Sequence, residues 1–195
     1  MEFHIKILLL SFVVSTILGI IIIPILKLFK VGQIERSDGP ESHLKKQGTP
    51  TMGGIIIAAA VFIVCTFLYV QYSKKDITLA RNILPLLFVT IGFGLVGFID
   101  DFKKLVLKNT KGLKPLYKMI GLLIVAVIYT LFLTNVLKIG TDIYIPFIKE
   151  YINLPMWAYI PFAIFVLLGT TNAVNLTDGI DGLSTTVTTI ILTCL

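Results

Sequence analysis

Charge is what this sequence has least of. Asp, Glu, Lys and Arg make up 14% of its 195 residues and hydrophobic residues 56%, against about 25% and 45–50% in soluble domains. That balance argues against a soluble fold. Cysteine is rare as well: Cys65 and Cys194 are the only two. Each lies inside an apolar run, without metal-ligand spacing or a nearby partner, so both read as packing residues. No Gly-x4-Gly-Lys-Ser/Thr loop occurs, which excludes a Walker-type nucleotide site. No small-x-small cleavage site follows the first apolar run, which is also longer than the roughly 7–15 residues of a signal-peptide core. Lys27 and Lys30 end that run, and it reads as a retained membrane anchor.

The apolar residues that are present fall in runs. A helix needs roughly 20 of them to cross a hydrocarbon core of about 30 Å. Five complete spans are expected, at about 5–29, 52–72, 80–99, 116–137 and 157–174. A sixth begins near Leu183 and is cut off at Leu195. The expected fold is an all-α polytopic membrane protein of five complete transmembrane helices plus the start of a sixth, in a longer natural chain. Residues 138–156 are poor in charge and read as a short extended or hairpin excursion, with Tyr144-Ile145-Pro146 as the strand piece.

Basic residues set the orientation. Loops 27–50 and 100–118 hold eleven of the 17 Lys and Arg, leaving Lys6, Lys74, Lys75, Arg81, Lys138 and Lys149 on the other side. The positive-inside rule then puts those two loops in the cytoplasm and the N-terminus outside. The net charge of +6 is therefore mostly topology, which argues against nucleic acid as a partner. The same parity places the turn at 172–182 in the cytoplasm. Seven of the eleven acidic residues then share one compartment: Glu35, Asp38, Glu41, Asp100, Asp101, Asp178 and Asp181.

Three constellations stand out there. Asp100 and Asp101 close the third span, at what would be the negative end of a helix dipole, and adjacent carboxylates repel one another. A cation must compensate, and Lys104 stands four residues after Asp100 and three after Asp101, in the favourable order for a helix. An ion-paired helix end and a base or nucleophile pair both fit this spacing. In Asn172-Ala-Val-Asn175-Leu-Thr-Asp178-Gly-Ile-Asp181-Gly-Leu, polar residues recur every third position, along one ridge of a helical or turn-like backbone. Gly179 and Gly182 let the chain break or let a ligand approach closely. A solvated turn would explain one of the four polar residues better than all four, and intramembrane polar groups point to function. Finally, Asp38-Gly-Pro-Glu-Ser-His43-Leu-Lys-Lys46-Gln-Gly-Thr49-Pro-Thr51-Met-Gly-Gly54 runs into the second span. It mixes turn formers, charge and hydroxyls as a phosphate site beside a helix start requires, although lone His43 reads more readily as a capping or interfacial residue. The basic stretch 102–118 suits both a topology signal at anionic headgroups and a holder of lipid phosphate beside Asp100 and Asp101.

Together these stretches resemble the polytopic polyprenyl-phosphate phosphoglycosyl transferases, and among them the members that make lipid I. The matching residues are Asp38-Gly-Pro-Glu-Ser-His, Gly48-Thr-Pro-Thr-Met-Gly-Gly, Gly97-Phe-Ile-Asp-Asp-Phe-Lys-Lys, Lys111-Gly-Leu and Asn172 to Leu183. The resemblance implies a single membrane-embedded transferase domain over 1–195, truncated at its C-terminus. It implies Mg2+-dependent transfer of phospho-MurNAc-pentapeptide from UDP-MurNAc-pentapeptide to undecaprenyl phosphate, giving lipid I and UMP for peptidoglycan, in a bacterial plasma membrane. Asp100 and Asp101 match the catalytic pair, while Lys46, Thr51, Lys104, Asn172, Asn175, Asp178 and Asp181 match substrate positions. Asp178 and Asp181 also fall in the metal neighbourhood, with the main metal aspartate and a histidine-rich loop expected beyond Leu195. The 195-residue chain alone is therefore expected to be inactive. The resemblance suggests a homodimer, and it departs at Leu122, where many members carry glutamine. The alternatives are a related N-acetylhexosamine-phosphate transferase, a noncatalytic scaffold, or a transporter fragment, whose acids would sit near the bilayer centre.

Overall fold

The protein's structure, a computed structural model, describes residues 2–28, 51–107, 112–178 and 182–194. Lys46, Asp181 and the motif at 38–50 lie outside the described residues. Among the described residues, seven α-helices and one two-stranded sheet follow one another: α1 (Glu2–Leu28), α2 (Gly54–Ser73), α3 (Ile77–Arg81), α4 (Leu84–Leu107), α5 (Pro115–Leu131), β1 (Asp142–Ile145), β2 (Glu150–Asn153), α6 (Met156–Thr177) and α7 (Leu183–Cys194). Among the described residues, five segments are long and apolar enough to cross a membrane: Ile5–Leu28, Gly54–Ser73, Ile77–Leu105, Pro115–Val136 and Met156–Thr177. They agree with the five expected spans, and the chain is a multi-pass membrane protein. Exposed Leu8, Phe12 and Ile20 on α1 and Phe165 on α6 would strand apolar area in water, whereas lipid is their natural solvent.

The chain divides into two compact units, Met1–Val125 and Ala126–Leu195, with the boundary inside α5. In the first, α2 packs against both α1 and α4, and Ala60, Val64 and Cys65 form its buried face. Asp76 opens α3, its carboxylate accepting the Thr78 and Leu79 N–H groups at 2.9 and 3.2 Å. Pro85 has no N–H to continue that helix, and the chain turns at Asn82 and Ile83 before α4 starts. Pro115 opens α5, where a missing N–H is harmless. Small residues bring α4 and α5 together: a Cβ built on Gly92 would come within 2.6 Å of Val125 Cγ1, and one on Gly121 within 3.3 Å of Val96 Cγ2. This is how membrane helices gain close packing without a hydrophobic driving force. Leu122, at the glutamine position of the resemblance, is only 2% exposed and serves as a packing residue of this unit.

In the second unit, α5 continues through a π-helical turn, Phe132–Val136. The sheet that follows is a small departure from an all-α chain. Its antiparallel strands pair Asp142 with Asn153, Ile143 with Ile152, Tyr144 with Tyr151, and Ile145 with Glu150. Pro146 ends β1 where the sequence expected a strand to run on, because proline cannot donate to a ladder. The Asn153 side chain donates to Asp142 Oδ1 at 2.8 Å, and the Tyr144 and Tyr151 ring centroids lie 5.1 Å apart. Helix α6 then packs on α7. Gly182 precedes α7 at φ +78°, a left-handed conformation that glycine adopts without strain.

Candidate active site

Helix α4 carries the acid pair, and it does not end there. It runs through Leu107, so Asp100 and Asp101 lie about two turns inside the helix, clear of the unfavourable dipole end, whose effect is confined to the last turn. The physical reason is local: no Gly or Pro interrupts residues 98–107, and the acid-before-base pairs support helix. Lys104 Nζ sits 2.9 Å from Asp100 Oδ2 and 3.0 Å from Asp101 Oδ1, the compensation the spacing called for. The expectation of carboxylates at a helix terminus is thus corrected, while the expected cation is in place.

The two acids differ in surroundings. The Asp100 side chain is 9% exposed and that of Asp101 36%. Asp100 also accepts the backbone N–H of Leu113 at Oδ1, 2.8 Å away, and Lys118 Nζ stands 3.6 Å from its Oδ2. Burying a carboxylate is expensive unless charge and hydrogen bonds replace the lost water; here two ammonium groups and one peptide N–H do so. Asp100 thereby ties the end of α4 to the start of α5. Asp101 shares only Lys104 among the described contacts and keeps an open side.

Gly112 makes the close approach possible. Its φ is +49°, and a Cβ there would lie 2.5 Å from Asp100 Oδ1 and 2.8 Å from Lys104 Cε. Any larger residue would meet both steric overlap and the left-handed backbone penalty. Gly112, Leu113 and Lys118 are parts of this cluster to which the sequence reading gave no individual role. The signal for them was the Lys111-Gly-Leu motif and a lysine at the end of the basic stretch 102–118.

Thr51 stands half-buried at the entry to α2, next to Met52 at φ +69°. In the other unit, Asn172 is half-buried and donates from Nδ2 to the Leu168 carbonyl at 2.8 Å. Asn175 is exposed on α6, and exposed Asp178 caps that helix, its N–H donating to the Val174 carbonyl. The helix therefore carries the first two polar residues of the expected ridge and ends at the third. Asp100, Asp101 and Lys104 are brought together; Lys46 and Asp181 are not described.

Among the described residues, no three His, Cys, Asp or Glu side chains gather to hold a metal. Mg2+ does not require such a cage, since it commonly binds one or two carboxylates, waters and substrate phosphates. An exposed hard-oxygen donor such as Asp178 fits that requirement. Asp76, Asp142, Glu150 and Asp178 lie outside the five spans, and Asp100 and Asp101 fall within the last six residues of Ile77–Leu105, unlike the midplane acids of a transporter.

Residues 83–195 match Glycosyl transferase family 4, which includes the acid pair and the Asn172–Asp181 stretch. Residues 46–57, holding Lys46 and Thr51, match phospho-N-acetylmuramoyl-pentapeptide-transferase signature 1. A phospho-N-acetylmuramoyl-pentapeptide-transferase of Acetivibrio thermocellus is 47% identical over 189 residues, 96% of this chain and 54% of that protein. One of Clostridium novyi is 46% identical over 185 residues, 95% of this chain and 54% of that protein. One of Halalkalibacterium halodurans is 47% identical over 176 residues, 90% of this chain and 52% of that protein. The chain spans about half the length of the curated relatives it matches.

Proposed function

The chain belongs to glycosyl transferase family 4, and from that membership we propose that it takes part in making lipid I, by transfer of phospho-MurNAc-pentapeptide from its UDP carrier to undecaprenyl phosphate. The observation that carries the substrate assignment is the 47% identity, along almost the whole chain, to a transferase of that name. In this reading a lipid phosphate oxygen attacks the sugar-bearing phosphorus. The new P–O bond forms as the bridging P–O bond of the diphosphate breaks, and UMP leaves.

Transfer between two anions depends on charge neutralisation and alignment more than on covalent chemistry with the protein. The acid pair supplies a proton acceptor for the lipid phosphate. Lys104 and Lys118 offset phosphate charge, and Asp100 holds both beside the loop that begins α5. Mg2+, when bound, neutralises charge on the diphosphate and the departing UMP; Asp178 and Asp181 would hold it, with Asn172 and Asn175 beside them for the nucleotide sugar. Lys46 and Thr51 border the substrate cleft. The positive-inside count puts residues 27–50, 100–118 and 172–182 on the cytoplasmic side, where a soluble nucleotide substrate can reach them.

The test is UMP release by the purified full gene product in lipid, given UDP-MurNAc-pentapeptide, undecaprenyl phosphate and Mg2+. Release that requires all three supports the reading. Turnover of UDP-N-acetylglucosamine in place of the pentapeptide substrate would assign the chain to a relative with a different sugar.

A further inference from the structure

The β1–β2 hairpin has an unusual tip. Its four-residue loop is Pro146-Phe147-Ile148-Lys149, closed by the Lys149 N–H donating to the Ile145 carbonyl at 2.8 Å, with Lys149 at φ +56°. Turns favour Gly, Asn, Asp and Ser because those residues tolerate left-handed backbone and water. Here Phe147 is 100% exposed and Ile148 59%, an arrangement that leaves apolar area unburied in water.

The strands share this polarity. Directly paired residues of an antiparallel ladder lie on the same face, so Ile143, Ile152, Ile145 and Glu150 occupy one face and Asp142, Asn153, Tyr144 and Tyr151 the other. Three of the four residues on the first face are apolar, and Glu150, beside the tip, is the exception. It is also tethered on both sides to segments able to cross a membrane, Pro115–Val136 and Met156–Thr177. Only Leu154 and Pro155 separate β2 from the second, about 7 Å of extended chain. The headgroup layer on each side of the hydrocarbon core is about 5–7 Å thick, so the base of the hairpin cannot leave it. Trp157, at the start of α6 and 79% exposed, is of the residue type that gathers at this depth.

We propose that the β1–β2 hairpin is an interfacial anchor, lying with its isoleucine face and Phe147 tip in the headgroup region of the bilayer and its tyrosine face towards water. The partner is the lipid surface itself. A hairpin seated this way fixes the depth of α6, whose far end carries Asn172, Asn175 and Asp178, but the anchor stands independently of the reaction assigned above.

Trp157 is the sole tryptophan of this chain, which makes the tip easy to report on. In phosphatidylcholine nanodiscs, the chain carrying Phe147→Trp with Trp157→Phe should show blue-shifted emission. That emission should be lost with lipids brominated near the headgroup end of the acyl chain and resist aqueous iodide. Ile148→Trp repeats the reading from the neighbouring position should the first variant fail to fold. Indoles at the tip that brominated lipid does not quench overturn the proposal, whether iodide then reaches them, which places the tip in water, or does not, which places it under protein.

Discussion

The Leu113 backbone N–H donates to Asp100 Oδ1 across 2.8 Å, so a buried carboxylate on α4 is hydrogen-bonded to the chain leading into α5, thirteen residues later. The contact exists only because Gly112, one residue before Leu113, has no side chain to hold the backbone away.

Gly112→Ala tests that contact. The added methyl meets Asp100 Oδ1 and Lys104 Cε, and the left-handed backbone adds strain of about 1–3 kcal/mol for a residue other than glycine. In the full gene product, the variant is expected to insert in the membrane, melt at a lower temperature and, on the proposed function, form lipid I slowly. Thermal unfolding in nanodiscs and lipid I formation read both effects, and unchanged values for both would show that the loop can shift without consequence.

In the full gene product, Asp100→Asn and Asp101→Asn are expected to separate in stability while both lose activity. In the first, an amide oxygen can still accept from Leu113, but Lys104 and Lys118 lose a carboxylate, a change of about 1–3 kcal/mol for a hydrogen-bonded charged group. In the second, an open side chain is altered, and the fold changes little. Loss of a proton acceptor lowers turnover by about 10²–10⁴-fold. Near-normal lipid I formation by both variants would remove the pair from the chemistry.

The α4–α5 contact makes a pairwise prediction. Gly92→Ala puts a methyl 2.6 Å from Val125 Cγ1, and overpacking of this kind costs about 1–3 kcal/mol. Val125→Ala opens the space, so the double variant should regain about 1 kcal/mol relative to the sum of the single changes. Additive losses in a double-mutant cycle of unfolding would mean that the two helices do not press on one another at this point.

Metal removal is the fourth test. A chelator should stop UMP release, and added Mg2+ should restore it. Asp178→Asn leaves an exposed helix cap intact and should change stability by less than about 0.5 kcal/mol. Because even an outer-shell partner contributes about 10–100-fold to metal affinity, the Mg2+ concentration for half-maximal rate should rise at least about tenfold. A titration with an unmoved midpoint would take Asp178 out of the metal site.

Much of this protein is written locally, and local features survive translation from sequence to structure. An apolar run long enough to cross a bilayer makes a helix because lipid leaves the backbone no other hydrogen-bond partner, which is why the spans around Ile5–Leu28 and Met156–Thr177 were legible. Lys104 could be assigned to Asp100 and Asp101 because a helix brings residues three and four apart together. What sequence alone determined is therefore the number of spans, the Lys104 ion pairs and the resemblance carried by its polar motifs. Tertiary structure decided the rest of the cluster: that α4 runs past the acids, that Leu113 and Lys118 close on Asp100, and that Gly92 and Gly112 are glycines because neighbours press against them. Those contacts join residues 8 to 33 positions apart. Nothing in a one-dimensional pattern encodes them, since each depends on how closely two helices approach and on which side of a loop faces a charge.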